Sequence, residues 1–467
     1  MTRRAFLSTL TAQAGSLLCG TVTRAAYAEN ARADVTLRIA RTTVEIARDH
    51  NIKTVTYNGS APAPIVRLRE NVPVIVDIFN DTETPEYVHW HGLEVPADID
   101  GAEEENSLVA PAHGHLRYRM TPNAAGARYV HSHAMAGNDL TRGLYSGQFG
   151  FVYVESKSDR GRYDQEIFLA THEWEPFFIE ADEDETPESV ETFGETDWGP
   201  AMVEVGYGIR SINGRALGHG EPIRVKEGER VLFHLLNASA TENIELFLPA
   251  HEFMVIALDG NPVPRPRRVG VLQLGAAERV DAIVEMKSPG VWILGSTDNG
   301  IRGSGLGILI EYAGRRGVVA RAEVPDRSWD YTLFGVNREP SEPDKRIRIA
   351  IERTPPDANG IEGWRINGKS YTGAGDCTVL QAGGRYRLIF DNRTGDSHPL
   401  HLHRNTFEVV RVNGKPTAGV RKDVVVVNAY QTVEVDFTPT GNGLTLFHCH
   451  QQLHMDHGLK TLFNVVS

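Results

Sequence analysis

Cysteine is scarce in this chain: three residues in 467, at positions 19, 377 and 449. A fold stapled by a disulfide framework is excluded by that count. Long apolar runs are also missing. No segment offers the ~18 consecutive apolar residues of a membrane-spanning helix. Basic residues are outnumbered, 48 Lys and Arg against 61 Asp and Glu, for a net charge of −13. That balance argues against nucleic acid as a partner.

What is present points to strands. Glycine (45) and proline (24) are plentiful and the apolar runs are short, a mixture that favours strands and turns over long helices. The length suggests two to four domains. At the N-terminus, Thr2-Arg3-Arg4-Ala5-Phe6-Leu7 resembles a twin-arginine export motif, and Ala26-Tyr27-Ala28 offers a small-x-small cleavage site. Residues 1–28 therefore read as a signal peptide, lost with Cys19, that delivers the protein to the periplasm. Leu18 is too bulky for Cys19 to be a lipid attachment site. Cys377 and Cys449 remain.

Three blocks of strand-like sequence follow, over 33–158, 162–315 and 325–467. Each carries an aromatic or aliphatic residue followed by Asn-Gly, at Tyr57-Asn58-Gly59, Ile212-Asn213-Gly214 and Ile366-Asn367-Gly368. Each then shows a strand ending in Asn: Asn80, Asn237 and Asn392. A unit recurring at roughly 150 residues predicts three similar β-domains in tandem, each a Greek-key sandwich or barrel. The acidic stretch 180–197 reads as a solvated surface insertion in the second block.

Histidine is unevenly placed. Ten of the 18 fall into four clusters: His89-Trp-His91, His131-Ser-His133, His398-Pro-Leu-His401-Leu-His403, and His448-Cys449-His450 with His454. Two clusters lie in the first block, two in the third and none in the second. On a strand, side chains at i and i+2 share a face, so each His-x-His is a two-toothed fork. One fork is weak evidence. Four forks, supplying eight imidazoles, predict a copper centre. His113-Gly-His115 has the same spacing but sits by a Pro/Gly turn with no fork left to partner it, and reads as surface structure. His50, His172, His219, His234, His251 and His457 also read as structural or solvent-exposed.

Cys449 divides the ligands into two sites. On an extended segment its sulfur points away from His448 and His450. With His398 and His454 it forms a His2Cys set, the donor set of blue electron-transfer copper. The path to the flanking histidines is about 10 Å of backbone. Ten residues beyond Cys449, where a weak axial Met often sits, stands Leu459, which cannot coordinate. Met455 is the competing axial candidate. Loss of the axial donor is expected to raise the copper potential.

These segments resemble the copper motifs of the multicopper oxidases, the family of laccases and bacterial copper oxidases, and the likeness spans nearly the whole chain after residue 28. The resemblance implies three cupredoxin-like domains and four copper ions. It places a type 1 copper on His398, Cys449 and His454. It places a type 2 copper on His89 and His401, and a type 3 pair on His91, His131, His133, His403, His448 and His450. It implies one-electron oxidation of a small donor at type 1 and reduction of O2 to water at the other three. Oxygen reduction also needs protons, and Asp100, before Gly101, resembles the family's acid near the cluster; as a bare Asp-Gly pair it also reads as a turn. Leu453 and Met455 stand where several relatives carry acids, with Asp456 the nearest substitute. The seven methionines do not cluster, which speaks against a dedicated cuprous oxidase. The expected activity is therefore a laccase-type oxidation of phenols and aromatic amines. The alternatives are a metallo-oxidase acting on Cu(I), Mn(II) or Fe(II), and a ligand-poor structural relative, against which all eleven ligand positions are filled. With both halves of the cluster on one chain, a monomer suffices.

Overall fold

The computed structural model describes residues 31–156, 162–180, 203–320, 322–356, 361–373, 375 and 377–467. The signal segment, Cys19 and all but the first residue of the acidic stretch 180–197 lie outside the described residues. Among the described residues there are six sheets, and the α-helices are three short turns. No helix among the described residues is long and apolar enough to cross a membrane.

The sheets come in three pairs with one strand order. In the first block His50–Tyr57, Val35–Ala47, Val74–Asn80 and Gly114–Met120 lie side by side. Val203–Ile212, Gln165–Glu180, Arg230–Asn237 and Arg279–Glu285 repeat that order in the second block. Glu362–Ile366, Lys345–Pro356, Tyr386–Asn392 and Thr432–Phe437 repeat it in the third. In every block the strand ending in Asn runs parallel to the block's first strand. The second and third blocks each add a hairpin at the far edge, Phe253–Leu258 with Asn261–Val269 and Phe407–Val412 with Lys415–Lys422.

The Asn-Gly repeat has a physical cause. Asn58, Asn213 and Asn367 adopt positive φ of 54, 52 and 54°, which Asn tolerates better than most side chains. Their side chains then bond the block's first strand identically: Asn58 with Arg38 and Thr36, Asn213 with Ala170 and Phe168, Asn367 with Ala350 and Arg348. The strand-ending Asn is equally constant. Asn80, Asn237 and Asn392 each donate through Nδ2 to two or more carbonyls and accept at Oδ1 from the amide two residues on. Each is buried, so each backbone group it satisfies would otherwise be orphaned.

One apolar core fills the first block, around Leu37, Val76, Trp90 and Val152. The second and third share a continuous core running from Leu169 to Val465. A smaller cluster that includes Tyr129, Phe149, Trp174, Leu236 and Val424 joins all three blocks. His113 and His115 pair with Glu83 and Asp77 on a partly exposed surface, as expected of a decoy, although His115 lies within a strand rather than in the turn.

Candidate metal centre

The four forks sit at strand ends. His89 and His91 close the strand Val88–His91, and His131 lies near the end of Gly126–Ser132 with His133 just beyond it. His398 and His401 lie on His398–Leu402, with His403 beyond, and His448 and Cys449 end Gly443–Cys449, with His450 next. Register brings them together in pairs: His89 stands opposite His131, and His401 opposite His448. Rings then stack between the first and third blocks, His91 on His401 with centroids 3.8 Å apart and His89 on His403 at 4.0 Å. All eight fork histidines are buried.

Seven of the eight rings have an outward hydrogen bond that fixes which nitrogen turns inward. Nδ1–H is donated to a backbone carbonyl by His89 (Asp100, 2.8 Å), His131 (Ser132, 2.9 Å), His401 (Asp423, 2.7 Å) and His448 (Cys449, 2.8 Å). His403 donates Nδ1–H to Asp100 Oδ2 at 2.7 Å. His91 is reversed, donating Nε2–H to Asp423 Oδ1 at 3.0 Å. The Tyr129 hydroxyl lies 3.0 Å from His450 Nε2. The inward nitrogens of His89, His91, His131, His133, His401 and His450 are buried and have no hydrogen-bond partner. Burial pushes the rings of His91, His131, His133, His401, His403, His448 and His450 below their ordinary pKa, His448 down to about 3, with neighbouring imidazoles adding to the effect. They are therefore neutral, with lone pairs available.

Those lone pairs test whether metal fits. His403 Nε2 and His448 Nε2 face each other at 3.0 Å, and each ring has already committed its other N–H outward. Two bare acceptors at that distance repel unless a cation lies between them. Buried unpaired imidazole nitrogens are a ready donor set for copper.

The second site is smaller. Cys449 Sγ lies 3.7 Å from His398 Nδ1 and 3.6 Å from His454 Nδ1, and the two nitrogens are 3.2 Å apart. A point about 2 Å from all three exists, the usual metal–donor distance. Local bonding orients His398: Thr394 donates its hydroxyl to Asn392 Oδ1, so its oxygen accepts from His398 Nε2 at 2.9 Å. The repeated strand-ending Asn thus reaches into this site and turns Nδ1 towards the sulfur. His398 is held down to about 3 by burial and by Arg353, and burial pushes the Cys449 thiol up. His454, on the short turn Gln452–Asp456, is 8% exposed and lies against the Trp364 ring at 4.3 Å. Leu459 is fully buried beside Cys449, whose N–H donates to the Leu459 carbonyl, and Met455 is buried as well.

Asp100 lies with the cluster. It is fully buried, its Oδ2 accepts from His403, and its Oδ1 has no partner. The Asp-Gly turn is real too, because Gly101 has φ of 91° and a Cβ there would lie 2.0 Å from the Val88 carbonyl. Asp456 instead accepts from the Ala136 and Gly137 amides and so pins the loop after His133.

Sequence reasoning missed four participants. Glu105 lies 3.5 Å from His403 Nδ1, and burial and Asp100 push its carboxyl well up. Asp423, in the bend before Val424–Val427, and Arg279, in the middle block, reach the forks from elsewhere in the chain, while Tyr129 stands two residues before His131 on the same strand and stacks on its ring. Only Tyr129 has a local spacing relation to a fork; the fold brings in the other three.

Family models described as multicopper oxidase match residues 38–159, 201–308 and 340–467. The chain is 27% identical over 437 residues to the multicopper oxidase MmcO of Mycobacterium tuberculosis, a match covering 89% of this chain and 84% of that protein. It is 25% identical over 482 residues to a laccase of Trametes maxima, covering 88% and 89%. The solved structure of a Campylobacter jejuni multicopper oxidase, described as a metallo-oxidase, shares its fold with a TM-score of 0.71 at 20% identity, covering 94% of this chain and 93% of that one. The chain belongs to the multicopper oxidase family and is built as three cupredoxin-like domains.

Proposed function

We propose that the protein is a laccase-type oxidase that takes single electrons from phenols and aromatic amines at the His398–Cys449–His454 site and delivers them to O2 at the eight-histidine cluster. The observation that carries this reading is Cys449, which faces one site while its neighbours His448 and His450 face the other. Copper bound at the two sites supplies the one-electron chemistry and the four-electron reduction of oxygen to water. Everything else falls to the side chains. His454 is the least buried of the three residues of the smaller site, with Trp364 as an aromatic wall beside it. Cys449 to His448 and His450 is a short covalent path for electrons. Asp100 holds His403 in place and keeps a free carboxylate oxygen for moving protons.

We assign four ions in all, one to His398, Cys449 and His454 and three to the fork histidines; the bare inward nitrogens support this, and Leu459, buried beside Cys449, offers no donor atom. One chain holds the full set, so a monomer suffices. Export through the twin-arginine-like segment suits a protein that acquires its metal before crossing the membrane.

A metal-ion donor is the second reading. Asp396 is close enough to Cys449 to help raise its thiol, and Glu204 is in turn pushed up by burial and by the nearby charges of Asp396 and Glu242. Copper analysis, an absorption spectrum and oxygen uptake with a substrate panel decide between the two. About four coppers, a blue band that disappears in Cys449→Ser, and faster uptake with phenols than with Fe(II), Mn(II) or Cu(I) are expected. Negligible phenol turnover beside fast metal oxidation sinks the laccase reading.

A further inference from the structure

The middle domain supplies no histidine to either site, yet it reaches the cluster through one buried carboxylate. Asp423, from the third domain, is fully buried. Its Oδ1 accepts from His91 Nε2 at 3.0 Å and from Arg279 at 2.7 Å. Its Oδ2 accepts from Arg279 at 2.5 Å and from Arg128 at 3.2 Å. Its carbonyl accepts from His401 Nδ1. One residue therefore holds two stacked histidines from opposite domains. Arg279 belongs to the middle domain and Arg128 to the first, so all three domains meet on this carboxylate.

The surroundings are shaped for that contact. Gly92 follows the first fork with φ of 82°, and a Cβ there would lie 2.6 Å from Asp423 Oδ2 and 2.9 Å from Arg279 Nη2. Any side chain at 92 would push the fork and the carboxylate apart. Asp259 ties Arg279 further, accepting from its backbone amide at 3.0 Å and from the Asp423 amide at 3.2 Å.

The orientation of His91 is the consequence. The carboxylate fixes the tautomer with Nε2–H outward and leaves Nδ1 bare and inward. Without it, the ring could as well turn Nε2 inward, as His89, His131, His401 and His403 do. Carboxylates that accept from the far nitrogen of a ligating histidine set ring orientation and raise ligand basicity.

We propose that Arg279 and Asp423 are positioning residues for the trinuclear cluster, through which the ligand-free middle domain sets the geometry of His91 and His401. This rests on the multicopper reading of the forks. The alternative is that the buried charges only join the domains. In that case their loss would weaken both copper sites alike, or neither.

The experiment compares Asp423→Asn, Arg279→Lys and the control Lys422→Gln, each prepared as the full chain and loaded with copper. Lys422 belongs to the same buried charge network, bonding Asp259 and Glu278 at 2.9 Å, but has no hydrogen bond to either histidine. Copper competition against a chelator, the blue band and the near-ultraviolet band of paired coppers are the readouts. Asp423→Asn and Arg279→Lys are expected to weaken cluster copper about 10- to 100-fold and to reduce the paired-copper band while the blue band persists. Lys422→Gln is expected to leave both bands. Cluster affinity within about two-fold of wild type in both variants overturns the proposal, as does parallel loss of both bands. Arg279→Lys keeps the charge and gives a second reading should Asp423→Asn fold poorly. Wild-type protein that takes up no copper refutes the multicopper reading itself, an outcome distinct from the others.

Discussion

Glu173 lies on the strand Gln165–Glu180, buried to 1% exposure beside Glu242 and Ser239. Burial, and then the charge of Glu242, push its pKa up to about 8 from an ordinary 4.5. A raised folded-state value means that the native protein keeps a proton which the unfolded chain releases. The associated stability is fully present below pH 4.5 and is lost as pH rises through 8. Between those limits the slope is ~1.4 kcal/mol per pH unit, giving about 3 kcal/mol by pH 7 and about 5 kcal/mol by pH 8. Glu173→Gln removes the titration at nearly constant shape. The amide carries its own cost for unpaired polar atoms, so the prediction concerns the pH dependence and not the absolute difference. Urea unfolding of both proteins at half-unit intervals from pH 4.5 to 8.5 should show the variant gaining on wild type throughout and levelling off above 8. Copper binding also titrates, but it does so in both proteins and drops out of the difference. Parallel curves would refute the reasoning.

Two further outcomes bear on the site. Leu459→Met offers a weak thioether to the smaller copper and should lower its potential; each ~60 mV of lowering reduces the equilibrium for electron uptake tenfold. A redox titration following the blue band checks this, and an unchanged or higher potential would place the side chain off the axial direction. Asp100→Asn should cut steady-state oxygen uptake about 100-fold, the lower range for loss of a positioned acid, while donor still bleaches the blue band at the wild-type rate. Uptake within about two-fold of wild type would remove Asp100 from proton delivery.

The forks were legible because their geometry is local. A His-x-His on a strand fixes two imidazoles on one face whatever the rest of the chain does. The three-fold repeat was legible for a similar reason: Asn58, Asn213 and Asn367 each satisfy a positive φ and two backbone groups of a strand about 20 to 45 residues back. The decoy His113-Gly-His115 was separable because no other fork was left to complete it. What sets the histidine tautomers was not legible. His91 and Asp423 are 332 residues apart, His403 and Asp100 are 303, and Arg279 and Asp423 are 144. No spacing rule spans such distances, and a buried Asp in Lys-Asp-Val looks like any strand Asp.

That division bears on how such a protein is assembled. The fork histidines come from two domains, but the aim of their rings depends on carboxylates and guanidinium groups drawn from all three. Asp100 orients His403 across the first and third domains, and Asp423 orients His91 in the opposite sense. Each histidine-bearing domain therefore carries a carboxylate that directs an imidazole of the other. Neither half sets its tautomers alone: His403 and His448 face each other at 3.0 Å within the third domain, but the Nδ1–H whose donation leaves His403 Nε2 bare goes to Asp100 of the first. The middle domain closes the arrangement through Arg279, whose bidentate hold on Asp423 leaves that carboxylate one orientation in which to meet His91.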